Sequence, residues 1–160
     1  MVIAVDATGG EHAPHAIVKG AIKAAQEYNT EITLVGRKEI LYVLAGRHLG
    51  KLGMSIIDAS QIIGPKESPV EAVRNKPDSS IVVGTNLVRD GLASAFVSAG
   101  NTGAVLYSTL VSLGKIKGIE RPAIGTIINV NATTPVLLID SGANADCRPS
   151  HLVQFAQLGT

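Results

Sequence analysis

The stretch Ser98-Ala99-Gly100-Asn101-Thr102-Gly103-Ala104 follows a short apolar run, Ala95, Phe96 and Val97, and gathers two glycines, two hydroxyls and an amide where a strand gives way to a helix. Gly100 and Gly103 let the backbone turn tightly and bring its N–H groups close to a ligand, while Ser98, Asn101 and Thr102 add donors beside a helix N-terminus. That is an anion site in outline. It is also what an ordinary strand-to-helix loop with a good N-cap looks like, and GxxG alone does not separate the two. Two further loops share its character: Asp6-Ala7-Thr8-Gly9-Gly10-Glu11-His12-Ala13-Pro14 and Asp140-Ser141-Gly142-Ala143-Asn144-Ala145-Asp146.

The elements that position these loops alternate. A β-branched run over 2–5 reads as a buried strand, and a helix follows Pro14 with Ile17, Val18, Ala21, Ile22 and Ala25 at helical spacing. A second strand over 32–35 ends at Gly36, Ile40, Leu41, Val43 and Leu44 support a second helix ending near Gly46 or Gly50, and a third strand covers 54–57. Strand, helix, strand, helix, strand implies a parallel sheet with right-handed crossovers, whose ligands sit beyond the carboxyl ends of the strands. Ser68-Pro69-Val70-Glu71 has capping-box spacing and starts a helix running to about Lys76; another runs from Asp78 or Ser79 to Gly91. The strand over 93–97 delivers the first loop, and Val105, Leu106, Leu110 and Leu113 mark the helix after it. Gly118-Ile119-Glu120-Arg121-Pro122 turns the chain, strands are expected over 124–129 and 136–139, and a helix over 149–158. No repeat or linker marks a boundary, so the chain reads as a single α/β unit.

Composition narrows the function classes. With 160 residues, 46% apolar and 17% charged, the chain can bury a sizeable core. A net charge of +1 and 3% aromatic residues give neither a field nor a stacking surface for nucleic acid. The lone Cys147 leaves no internal disulfide or CxxC motif, which fits a reducing cytoplasm, and Met1-Val2-Ile3-Ala4-Val5-Asp6 has neither the charge nor the apolar length of a signal peptide.

The three loops, together with Glu71-Ala72-Val73-Arg74-Asn75-Lys76 and Gly118-Ile119-Glu120-Arg121-Pro122-Ala123, resemble the phosphate acyltransferase family of bacterial phospholipid synthesis, known as PlsX. The resemblance runs from residue 1 to 160 and covers the N-terminal half of family members. It implies a three-layer α/β/α fold with a mostly parallel sheet, similar to the isocitrate dehydrogenase and phosphotransacetylase folds. It also implies transfer of a fatty acyl group from acyl carrier protein to inorganic phosphate without metal or other cofactor. Homodimerisation and contact with the inner face of the membrane come with it, the family's second half supplying the rest of the cleft. Thr8 stands where the family usually has methionine, Glu11 where aspartate and Ser141 where valine is usual; none of these changes removes a donor or a charge.

Phosphate is itself a competent nucleophile, so such an enzyme must hold a dianion, align it and stabilise the thioester oxyanion. Asn101 and Thr102 are the first choices for those contacts, with Ser98 behind them and capping as the competing role. Asp6 and His12 flank Gly9 and Gly10 and either orient a phosphate proton or brace the loop. Arg121 offers a planar fork at a turn, whereas Arg74 and Lys76 equally suit a solvated face. Asp140, Gly142 and Asn144 end a predicted strand, and with Gly100 and Gly103 they are expected where the three loops meet. His12 and His15 form an HxxH pattern too sparse for a metal site, His48 and His151 read as surface helix residues, and Cys147 has no neighbouring histidine to activate it. Rival readings are a coenzyme A-dependent phosphotransacetylase-like enzyme and a truncated, inactive phosphate-binding fragment.

Overall fold

The computed structural model describes residues 1–131 and 134–160. These fall into two compact units, Met1–Leu113 and Gly114–Thr160, taken here one at a time.

The first unit runs β1 (Val2–Asp6), α1 (His15–Tyr28), β2 (Glu31–Gly36), α2 (Lys38–Leu49), β3 (Met54–Asp58), α3 (Pro69–Asn75), α4 (Ser80–Arg89), β4 (Ala95–Val97) and α5 (Thr102–Leu113). The strands form one sheet in the order β3-β2-β1-β4. Every pair is parallel, with Val5 opposite Leu34 on one side and Val97 on the other. Because strand side chains alternate, β2 serves two cores. Ile32 and Leu34 pack with Val18, Ala21 and Ala25 of α1 and Leu41 and Ala45 of α2, while Val35 joins Ala4 and Leu87 of α4 on the opposite face. Helices therefore cover both faces of a mostly parallel sheet, the three-layer α/β/α arrangement expected. A third cluster, Ala72, Val73, Ile81 and Ala104, ties α3 to α4 and α5.

A small residue sets one of these contacts, and a side-chain cap fixes the start of α4. A Cβ on Gly84 would lie 2.1 Å from the Phe96 ring, so α4 can reach β4 only with glycine there. The Ser79 side chain accepts from Val82 N at 3.4 Å and caps α4 as its position suggested. Ser68 does not complete the expected capping box: its side chain makes no cap hydrogen bond. Proline at the first position of α3 already removes one donor that a cap would serve.

The second unit consists of β5 (Thr126–Asn131), β6 (Thr134–Leu138) and α6 (Pro149–Leu158). The two strands pair with each other, antiparallel, in a sheet of their own with an irregularity between Asn129 and Asn131.

Candidate functional site

In the first unit the carboxyl ends of β1 and β4 lie side by side, and the loops leaving them are joined through one buried carboxylate. Asp6 is 1% exposed. Its Oδ1 accepts from Thr8 N and Gly9 N, each at 3.0 Å, and from Thr8 Oγ1 at 3.1 Å. Its Oδ2 accepts the Ser98 hydroxyl at 2.7 Å, and Ser98 Oγ in turn accepts Gly100 N at 3.0 Å. Strand parallelism places Asp6 and Ser98 at matching ends of neighbouring strands, which is why residues so distant in sequence meet.

The loops approach more closely than side chains allow. A Cβ on Gly9 would lie 2.3 Å from Asp6 Oδ2 and 2.8 Å from Gly100 N, and one on Gly10, which has φ +104°, would touch Ala99. Beside this contact opens a cleft of about 430 Å³, lined by Thr8, Gly10, Glu11, Ala99, Gly100 and Asn101 on one side and by Ile62, Ile63, Gly64 and Pro65 on the other.

Asn101 caps α5: its Oδ1 accepts Ala104 N at 3.0 Å and its carbonyl accepts Val105 N. Its Nδ2 donates to the carbonyls of Gly64 at 3.1 Å and Glu67 at 3.2 Å, so both amide protons are engaged in fixing the far wall of the cleft. The first-turn N–H groups of Thr102 and Gly103 are those a helix leaves without an internal partner. Thr102 is exposed, Gly103 sits where a Cβ would lie 2.7 Å from the Pro69 ring, and neither lines the cleft, whose wall ends at Asn101. His12 is exposed and does not line the cleft.

The wall over 62–67 has no counterpart in the sequence reading; the one local signal that could have marked it is the Gly64-Pro65 pair, a turn former. It is held by a carboxylate on one side and an ammonium on the other. Glu67 Oε1 accepts Gly64 N and Lys76 Nζ, both at 2.7 Å, and Lys76 Nζ also donates to the Ile62 carbonyl at 2.8 Å. The Lys76 hydrogen bond holds the Glu67 carboxyl below the usual range. Lys76 is thus a structural cation rather than part of a solvated face. Arg74 donates from Nε to the Tyr107 hydroxyl at 3.1 Å, and its guanidinium lies over that ring.

The second unit repeats the device of a strand-end aspartate. Asp140 follows β6 and accepts from Ile124 N at 2.8 Å, Ala143 N at 3.1 Å, and Asn144 through both N (2.7 Å) and Nδ2 (3.0 Å). Burial raises its pKa, but these donors outweigh burial and bring it from the ordinary 3.8 down to about 2. Asn144 Nδ2 also donates to the Pro122 carbonyl at 2.9 Å, and Gly142 turns at φ +132°.

The segment carrying Arg121 is gripped from α6 as well. Gln154 accepts Glu120 N at 2.9 Å and donates to the Gly118 carbonyl at 3.3 Å. His151 is not on the surface as its helical position suggested. It is 4% exposed, its Nδ1 accepts Arg148 N at 3.1 Å, and its Nε2 lies 3.3 Å from Glu120 Oε2. A buried imidazole accepting at Nδ1 carries its proton on Nε2, matching the carboxylate opposite. Arg121 itself is exposed and makes no hydrogen bond or ion pair among the described residues, and Cys147 is an exposed free thiol.

Comparison with known proteins places these features in a lineage. A family model described as fatty acid synthesis protein matches residues 1–160. The chain is 55% identical over 159 residues to a phosphate acyltransferase of Dehalococcoides mccartyi, covering 99% of this chain and 46% of that protein. It is 52% identical to the phosphate acyltransferase of Desulforamulus reducens over 99% of this chain and 47% of the relative, and 51% identical to that of Pelotomaculum thermopropionicum over 99% and 46%. The chain spans about half the length of the curated relatives it matches. With its whole length matched by the family model, the chain belongs to the fatty acid synthesis protein family, PlsX.

Proposed function

We propose that this chain forms part of a phosphate acyltransferase that moves a fatty acyl group from an acyl carrier protein thioester to inorganic phosphate. The observation that carries the reading is the cleft between the β1 and β4 loops and the wall over 62–67, which opens beside the capped N-terminus of α5. Helix N-termini and glycine turns favour anions, and here the backbone approaches without side chains in the way.

In this reading a phosphate oxygen attacks the thioester carbonyl carbon. The carbon–oxygen bond forms, the tetrahedral intermediate collapses, the carbon–sulfur bond breaks, and the departing thiolate takes the proton that hydrogen phosphate carried. The reaction is balanced without a cofactor. The N–H groups of Thr102 and Gly103, with the Thr102 hydroxyl, bind the anion or the developing oxyanion. Asp6, Ser98 and Asn101 act by holding the loops, since their polar atoms are engaged in doing so. Gly9, Gly10 and Gly100 allow the close approach, and His12 at the rim of its loop is the candidate for moving the phosphate proton. In the second unit, taken by itself, Arg121 is the proposed anion-binding cation, on a segment that Asp140 and Asn144 brace around the turn at Gly142.

The same reading makes the protein a cytoplasmic homodimer in peripheral contact with the membrane. Among the described residues no helix is long and apolar enough to cross one.

The deciding experiment is an assay of acyl phosphate formation by the native protein from phosphate and either acyl carrier protein or coenzyme A thioesters. Product from the carrier protein thioester, with little from coenzyme A, is expected. Preference for coenzyme A would make the protein a phosphotransacetylase-like enzyme, and no product from either would leave a phosphate-binding protein.

A further inference from the structure

A smaller cavity of about 110 Å³ adjoins the cleft. Thr8 and Ile62 line both spaces, and the smaller one continues between Ala13 and Pro14 ahead of α1 and Ile40 and Leu41 of α2. Its walls are almost wholly aliphatic. The Thr8 hydroxyl is engaged by Asp6 and by Ser80 at 2.7 Å. Its methyl lies on the side of Gly36, where an added Cβ would stand 2.8 Å from Thr8 Cγ2 and 3.4 Å from Leu41 Cδ1. Arg37, the one charged residue at the rim, directs Nε to the Ser60 carbonyl at 3.5 Å.

We propose that this slot takes the alkyl chain of the acyl group, which passes from the cleft between Thr8 and Ile62 and ends against Ile40 and Leu41. The proposal rests on the acyltransferase reading and adds where chain selectivity is set. Three features on this face fit such an occupant. Ile40 and Ile62 keep 42% and 43% of their surface exposed, apolar area that an alkyl chain would cover. The passage is held in place, because Lys76 anchors the Ile62 carbonyl and Asp6 anchors Thr8. Apart from Thr8, whose hydroxyl is already engaged, and Arg37 at the rim, the residues lining the slot are all apolar. Each methylene that enters should raise kcat/KM about fourfold, the ratio equivalent to burying one CH₂ group, until the slot is full.

The test uses the native protein and two substitutions of opposite effect, read as ratios. Ile40→Trp fills the end of the slot and should lower the decanoyl-to-acetyl ratio of kcat/KM on carrier protein thioesters by roughly tenfold or more. Ile62→Ala widens the passage and should raise the relative rate of a methyl-branched acyl thioester over its straight isomer. Wild-type ratios in both variants would overturn the assignment.

Calorimetric titration with decanoate gives a readout that needs no turnover. Binding by the native protein that Ile40→Trp abolishes supports the slot. Absence of binding by the native protein, or equal binding by the variant, overturns it. Decanoate bound in the slot while no thioester yields acyl phosphate would instead reject the acyltransferase reading and leave the slot standing.

Discussion

Ser98 donates its hydroxyl to the Oδ2 of Asp6 at 2.7 Å, and through that bond the loops after β1 and β4 share one buried carboxylate. Asp6 is 1% exposed and three other donors meet its Oδ1, so removing it strands several polar groups at once. Asp6→Ala should cost about 3 kcal/mol and Ser98→Ala about 1 kcal/mol, by the usual penalties for unmatched buried donors. Because both changes break the same bond, the double variant should be less destabilised than the sum by about 1 kcal/mol. Urea unfolding of the four proteins measures this, and strict additivity would mean that the two loops are held independently.

The glycines divide by what stands near them. A Cβ at Gly9 would meet Asp6 Oδ2 at 2.3 Å and Gly100 N at 2.8 Å, whereas one at Gly20, within α1, meets nothing within 4 Å. Gly9→Ala should therefore force the two loops apart, destabilise by about 1–3 kcal/mol and weaken phosphate binding. Gly20→Ala should stabilise by up to about 1 kcal/mol through helix propensity. Thermal melts and phosphate titration of both variants would separate them; equal effects would remove the close approach from the explanation of the site.

The order of elements was legible in the sequence because apolar periodicity, Gly36 and the Ser79 cap all mark physical boundaries that survive in the fold. The strand-end loops were legible for the same reason: a β-branched run ending in Asp6, or an apolar run ending in Ser98, leaves little else for the next residues to do. What each side chain faces was not legible. Asn101 looks the same whether its amide points at a ligand or at Gly64 and Glu67, and only the fold of the segment after β3 decides. His151 looked exposed because its helical position is compatible with either face. Its Nε2 lies against Glu120, a partner 31 positions earlier that no local pattern announces. Lys76 was misleading in the same way, since its partners Glu67 and Ile62 lie across a turn.

Asn101 carries two tasks that substitution can part. Asn101→Ala removes the α5 cap, worth about 1 kcal/mol, and also the donors to Gly64 and Glu67. Asn101→Asp keeps an acceptor for Ala104 N but sets a carboxylate against two carbonyls. If Asn101 serves by holding the wall, the aspartate variant should retain the cap while losing activity about as far as alanine does, roughly 10²-fold, the usual loss when positioned groups shift by about 1 Å. An aspartate variant with native turnover would show that the cap alone matters.

Lys76 should act on substrate capture more than on chemistry, because it touches the wall and not the α5 N-terminus. Lys76→Met releases both Glu67 and the Ile62 carbonyl and is expected to raise KM for the thioester about tenfold, equivalent to losing one charge-assisted hydrogen bond, with a smaller change in kcat. Lys76→Arg should restore much of the loss. A fall in kcat with KM unmoved would place Lys76 closer to the reacting atoms than its contacts suggest.

Asp140 ties stability to pH in the acid range. Its folded pKa is about 2, depressed because the N–H groups of Ile124, Ala143 and Asn144 and the Asn144 amide stabilise the ionised form more than burial opposes it. An unfolded chain titrates this group near 3.9. A depressed folded pKa means that the unfolded state binds the proton first, so the contribution is fully present above about pH 4 to 5 and drains away as pH falls through about 2. Asp140→Asn removes the charge and turns one acceptor into a donor facing other donors, which should lower Tm at neutral pH. As pH falls toward 2 the native protein loses the same advantage, and its Tm should converge on that of the variant. A gap that stays constant from pH 6 to 2 would show that the carboxylate's charge is not what holds the Pro122 segment, leaving shape alone as the role of Asp140.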